Sequence, residues 1–270
     1  MMKIVSNEFR KKEIELLAEW LAEEYFGEDY IIEPEFIASE NSITFSYGHY
    51  KDCFDGLLEH EKGEFHIYIN LDRLKIKESA RSRFTFAHEL GHYFIDEHRN
   101  SLSQGKAPSH PSFHSLLSKN PVEKEADFFA ACLLMPSMSF RDFCKGYKLS
   151  STILKALSEN FDTSLSATIF RYYELKIFPM MIIYCKNKKI EWTMATSDFR
   201  YRWPPKKGED IPKSTLAGEY FYKGKRSDKE DIIYPDDWFS DFEMNRSEEL
   251  YEYCLCRGNT TLSIIWKKEF

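Results

Sequence analysis

The chain has 270 residues, 43% of them hydrophobic, so it can bury a core as one large domain or two small ones, and a fibrous or disordered protein is excluded. Its formal net charge of -7 speaks against a protein that grips nucleic acid chiefly through phosphates, since that needs a basic face. No run approaches the ~20 apolar residues of a membrane span, no export signal opens the chain, and the six scattered cysteines read as reduced thiols, so a cytoplasmic protein is expected.

From Asn7 to Phe26, Ile14, Leu17, Leu21 and Tyr25 recur at three- and four-residue steps among Glu and Lys, which predicts an amphipathic helix. Residues 42–70 read as a small antiparallel sheet, with a loop at Asp55-Gly56 and a turn at Lys62-Gly63. In its last strand Phe65, Ile67 and Ile69 alternate with His66, Tyr68 and Asn70, so one face is buried. Residues 81–97, RSRFTFAHELGHYFIDE, predict a mostly buried helix. The stretch 99–121 holds six Ser and three Pro and reads as a long loop of the kind that often forms a lid. Asn120-Pro121 then opens a buried helix that closes before Pro136.

Two short helices are expected within 149–175, separated near Asp162-Thr163-Ser164 in the manner of a helix-turn-helix. Beyond Pro179 the segments MMIIYC, KIEWTM, GEYFYKG, DIIYP, LYEYCLCRG and TLSIIWKK predict a mainly β region. Within it Cys254 and Cys256 would share a strand face. Two sulfurs without a further Cys or His pair are a weak metal signal, and the reading favours buried small residues. The expected divisions are 1–140, 141–176 and 177–270, in an α+β protein.

The chemistry sits in His88-Glu89-Leu90-Gly91-His92. On a helix a four-residue step advances about 6 Å and turns about 400°, which sets both imidazoles on one face, where they can hold one ion. Glu89, one position round, is placed to take a proton from a water beside that ion and poorly placed to bind it. Two groups compete for the third ligand. His98 has the spacing of the third histidine of metzincins, but that arrangement needs a Gly where Ile95 stands, and on a continuing helix His98 lies about 9 Å on and about 240° round. Glu123 is the stronger candidate, with Asp127 one turn later to orient a liganding histidine, the gluzincin pattern. Against it, Asn120-Pro121-Val122-Glu123 also fits a capping box. Glu125 is a third option on a different face from Asp127. Tyr93, His98, His110 and His114 are candidates to stabilise an oxyanion.

RFTFAHELGHYF followed by EKEADFFAACLLMP resembles the ImmA/IrrE family of metallopeptidases, with Arg81, Phe84, Thr85, His88, Glu89, Gly91, His92, Glu123, Asp127 and Pro136 at the places of its pattern. The strand ending in Ile69-Asn70 is similar to the one that precedes that motif, and the resemblance covers roughly 40–175. It implies a zincin-like metallopeptidase domain, with an N-terminal helix, a small sheet and active-site helices. It also implies a family role in cleaving Xre-type helix-turn-helix repressors during stress or mobile-element induction. The 99–119 loop is long for the family, and the β region only loosely resembles the sensory domain some members carry.

The leading expectation is thus an endopeptidase in which His88, His92 and Glu123 hold Zn2+ (or Mn2+), Glu89 activates water, Asp127 supports a ligand, and a protein substrate lies as an added strand against 65–70. The runner-up is a non-catalytic regulatory protein with a structural metal that binds a transcription factor. Membrane association and direct nucleic-acid binding are not expected.

Overall fold

The computed structural model describes residues 2–26, 31–106, 112–113, 120–201, 205–240 and 248–268, with the side chains of 2–7 excepted. The architecture is α+β, and the chain divides into two compact units: 1–145 with 157–171, and 146–156 with 172–270. No helix among the described residues is long and apolar enough to cross a membrane.

The first unit opens with α1 (Met2–Phe26) and α2 (Pro34–Glu40). On α1, Ile14, Ala18 and Leu21 are buried, as the apolar spacing predicts. Three strands follow: β1 (Thr44–Gly48), β2 (Gly56–Glu61) and β3 (Glu64–Asn70). They form a sheet of order β1-β3-β2. β2 and β3 make the antiparallel hairpin expected from Lys62-Gly63, both residues having positive φ. β1, however, pairs with β3 in parallel, so the sheet is mixed and not the antiparallel one expected. The cause is the 49–55 connection, which carries the chain over the end of β3. The Asn70 amide holds it by donating to the carbonyls of Lys51 and Phe54 at 2.7 Å each. With neighbours on both sides, β3 has no free edge, so a substrate strand cannot add to 65–70; β2 is an edge of this sheet.

Next come α3 (Leu71–Leu74), α4 (Ala80–Phe94), α5 (Asp96–Ser103), α6 (Pro121–Leu134) and α7 (Ser137–Cys144). Ser79 caps α4 by accepting from the Ser82 amide. α4 ends at Ile95, whose extended backbone (φ -75, ψ 108) lets α5 restart with Asp96 and Glu97 in its first turn, where acidic groups favour a helix N-terminus. The helix expected through residue 97 is thus two helices, and the start of the expected loop is helical to Ser103. Asn120 caps α6 by accepting from the Val122 amide, with Pro121 in the first turn. β3 gives Ile67 and Ile69, α4 gives Phe86 and Leu90, and α6 gives Phe129 and Leu133 to one core.

The pair α8 (Ser151–Asn160) and α9 (Leu165–Glu174) matches the two helices expected. Arg171 on α9 is fully buried and donates to the Met135 carbonyl at 2.9 Å, which fixes the end of α6.

In the second unit β4 (Met180–Lys186), β5 (Lys189–Ala195), β6 (Asp231–Ile233), β7 (Leu250–Arg257) and β8 (Thr260–Lys267) form a sheet of order β5-β4-β8-β7-β6. Every neighbouring pair is antiparallel. Between β5 and β6 lies α10 (Leu216–Lys223), and between β6 and β7 lies α11 (Pro235–Trp238). The segment GEYFYKG, expected as a strand, is therefore helical. Thr215 caps α10 by accepting from the Gly218 amide, and Gly224 at φ 69 terminates it in the left-handed region that glycine adopts at little cost.

Candidate metal centre

His88 and His92 lie one helical turn apart on α4 and both are buried. Their Nε2 atoms stand 3.1 Å from each other. The Glu123 carboxylate reaches them from α6, with Oε2 3.3 Å from His88 Nε2 and Oε1 3.5 Å from His92 Nε2. The carboxylate that a capping box would turn back towards Asn120 here faces both imidazoles. One donor atom from each of the three lies within 4.8 Å of the others. A tetrahedral ion with arms of about 2.0–2.2 Å has ligand edges of about 3.3–3.6 Å; the two imidazoles are close to that spacing, and because each faces a different Glu123 oxygen, the carboxylate must turn slightly to present one oxygen to both.

The approach of α6 to α4 depends on Gly91. A Cβ there would meet Ala126 Cα at 3.1 Å and Ala126 O at 3.2 Å, so any larger residue would push the helices apart and withdraw Glu123. Asp127, one turn beyond Glu123, lies with Oδ1 2.9 Å from His88 Nδ1. It accepts the Nδ1 proton, which leaves Nε2 as the bare donor atom facing the cluster. Burial alone would lower the His88 imidazole, but hydrogen bonds to Asp127 and Glu123 and the charge of Glu89 raise it to about 10. The carboxylates therefore demand a positive charge in their midst, which a divalent cation supplies.

Glu89 is fully buried, and neither of its oxygens has a hydrogen-bond partner among the described residues. Desolvation drives its carboxyl up to about 7 against the pull of His88 and of contacts with Ser112 and the Leu58 backbone that fall short of hydrogen-bond geometry. Buried polar atoms without partners are rare and mark functional positions. Thr85 Oγ1 and Ser112 Oγ are buried in the same condition. A metal with its water fits this donor set: two imidazole nitrogens, one carboxylate, and an unpartnered carboxylate beside them.

The seat of Glu89 is made by Gly56, the first residue of β2, where a Cβ would lie 2.5 Å from Glu89 Oε1 and 2.7 Å from Thr85 Cγ2. Asp55 pins this point. Its fully buried carboxylate accepts from Arg73 Nε at 2.7 Å and Arg81 Nη2 at 3.1 Å, and its amide donates to the Ser112 carbonyl at 2.8 Å. In the sequence Asp55-Gly56 reads only as part of a loop. The available signal was an Asp-Gly pair directly before an apolar strand.

His98 is not where a continuous helix would send it. The break at Ile95 turns it back, buried, with its ring 5.2 Å from that of His92 and Nε2 3.2 Å from Glu125 Oε2. Glu125 faces away from the three clustered donors yet carries His98 and also Arg10, whose Nη2 donates to it at 3.0 Å. Phe9, Arg10, His98, Leu102, Val122 and Glu125 line a cavity of about 640 Å³ that reaches His92. Tyr93 turns away and packs edge-on against Phe65 at 5.0 Å. His110 and His114 lie outside the described residues.

No curated protein matches the chain. Among solved structures, a Mycobacterium tuberculosis transcriptional regulator shares the fold, with a TM-score of 0.59 over 94% of this chain and 76% of its own at 11% sequence identity. Residues 60–173, which hold all the clustered side chains, match the family model described as the IrrE N-terminal-like domain; the match supports membership of the ImmA/IrrE family and suggests a metallopeptidase, and the sheet and helices are consistent with a zincin-like domain.

Proposed function

We propose that the protein is a zinc-dependent endopeptidase, with manganese as the alternative metal, that hydrolyses a protein substrate. The observation that carries this is the buried, unpartnered Glu89 carboxylate beside the three convergent donors His88, His92 and Glu123. A structural metal site needs no such group, because an orphaned buried carboxylate costs stability and returns nothing to the fold.

His88 and His92 offer Nε2 and Glu123 a carboxylate oxygen, and Asp127 keeps the His88 Nδ1 proton away from the cluster. A divalent ion held there supplies Lewis acidity, which acidifies a water and polarises the scissile carbonyl. Glu89, raised to about 7 by burial, takes a proton from the attacking water and later returns it to the leaving amine. The substrate backbone lies along the edge of β2 beyond Gly56, whose own edge is bridged to Ser112, and the cavity beside His92 receives a side chain.

The substrate class comes from the family resemblance: a helix-turn-helix repressor of the Xre type, cleaved in the cytoplasm in stress response or mobile-element regulation. A transcriptional regulator with the same fold is in keeping with this setting. In the second reading, a non-catalytic regulatory protein holds a structural metal and binds a transcription factor. Incubating the zinc-loaded protein with an Xre-type helix-turn-helix repressor, in parallel with Glu89→Gln, decides between them. Cleavage by the wild type alone is expected. A repressor that binds without being cut by either protein would establish the second reading.

A further inference from the structure

The Cys254-Leu-Cys256 motif takes no part in this chemistry. The alternation of β7 sends Glu252, Cys254 and Cys256 to one face, opposite Ile265, Ser263 and Thr261 of β8. The two sulfurs meet at 3.7 Å. Cys254 is buried at 5% exposure and Cys256 is half-buried, so the pair is reached from one side.

A disulfide is a poor outcome for such a pair. Residues two apart on a strand are separated by about 6.4–6.8 Å with their Cβ atoms side by side, whereas a disulfide needs Cβ atoms about 3.5–4.5 Å apart. The sulfur separation instead suits two bonds to a common soft atom. A tetrahedral metal would need two further donors, and among the described residues the one cluster of three or more metal-binding side chains is that of His88, His92 and Glu123. A centre that needs only two thiols is satisfied here.

We propose that Cys254 and Cys256 form a chelating dithiol for monosubstituted trivalent arsenicals. In the reaction an arsenical R–As=O loses its oxygen, two S–H bonds break, two As–S bonds form, and the oxygen leaves with both protons as one water. Arsenic stays trivalent, so no oxidant or reductant is needed. Cys256 begins the attack. Its thiol is lowered by its hydrogen bond with Cys254 and by the nearby Arg226, while the same bond and burial raise Cys254, which retains its proton until the second substitution. Arg226 is steadied over the Tyr220 ring at 5.2 Å, and Tyr220 in turn donates to the Gly258 carbonyl at 2.7 Å.

The site also has a reporter. Ser263 Oγ lies 3.5 Å from Cys254 Sγ and donates to Glu252 Oε1 at 2.6 Å, and Glu252 accepts from Trp238 Nε1 at 3.3 Å. Loading the sulfurs therefore disturbs Ser263 and, through Glu252, the surroundings of the Trp238 indole.

The test is titration of the full-length protein with phenylarsine oxide, followed by intact mass and tryptophan fluorescence. One arsenical per chain is expected, resistant to excess 2-mercaptoethanol, released by 2,3-dimercaptopropanol, and accompanied by a fluorescence change. Cys254→Ser and Cys256→Ser should each weaken binding by about 100-fold or more, because a chelate loses its intramolecular second bond. Cys53→Ser, at an exposed thiol, should change nothing. Circular dichroism checks that each variant is folded, and Cys256→Ala at the half-buried position serves if Cys254→Ser is not. Binding that a monothiol reverses, or that folded Cys256 variants retain, overturns the proposal.

Discussion

Each unit buries a glutamate completely, and the two are opposites. Glu252 in the second unit accepts from the Leu216 and Ala217 amides at 2.8 and 3.3 Å, from Ser263 Oγ at 2.6 Å and from Trp238 Nε1 at 3.3 Å. It ties the first turn of α10 to β7 and β8 and serves the fold. Glu89 in the first unit has no partner among the described residues, yet it too is raised by burial. Burial and a displaced pKa therefore do not by themselves distinguish chemistry from architecture. How well hydrogen-bond donors satisfy the carboxylate does.

The sharpest way to break this contrast is Glu89→Gln. Cleavage should fall by about 10²–10⁴-fold, the usual contribution of a general base, with metal content held and the melting temperature not lowered. Wild-type cleavage by this variant would remove Glu89 from the mechanism. Glu123→Gln comes next: one anionic oxygen leaves the cluster, and metal affinity by titration should collapse while the capped helix α6 persists by circular dichroism. If Glu123 acted only as a cap, Gln would serve nearly as well and the loss would stay within about 1 kcal/mol of stability.

For the second unit the counterpart is Glu252→Ala. It strands several buried donors and should cost roughly 3–5 kcal/mol in denaturant unfolding, because each unsatisfied group costs about 1–3 kcal/mol. A neutral result would mean that water replaces the carboxylate and that the contrast with Glu89 is one of degree. Asp127→Ala should weaken metal binding about 10- to 100-fold by releasing the His88 Nδ1 proton from its acceptor. The smallest effect belongs to Glu125→Gln, which should alter metal affinity by less than that 10-fold lower bound, since Gln still accepts from His98 and Arg10. A larger loss from Glu125 than from Glu123 would transfer the ligand role to it.

Local patterns carried much of this molecule. The four-residue step from His88 to His92, the Asn120-Pro121 start of α6 and the apolar spacing along α1 depend on helix geometry and capping within a few residues, so they were legible before any folding was considered. The same holds for Glu123 and Asp127, one turn apart on a helix. GEYFYKG misled because aromatic residues favour strands on average, whereas a Thr cap and a terminal Gly decide the end states of that short segment.

Other features belong to the tertiary structure alone. The parallel pairing of β1 with β3 follows from where Asn70 anchors the 49–55 connection. The return of His98 follows from a backbone break at Ile95, and the seat of Glu89 follows from a glycine more than thirty positions earlier in the chain. Periodicity reports which face of an element is apolar. It does not report what the opposite face meets, because that depends on contacts between residues far apart in sequence, and the closure of those contacts decides whether a buried carboxylate finds four well-placed donors or is left unsatisfied.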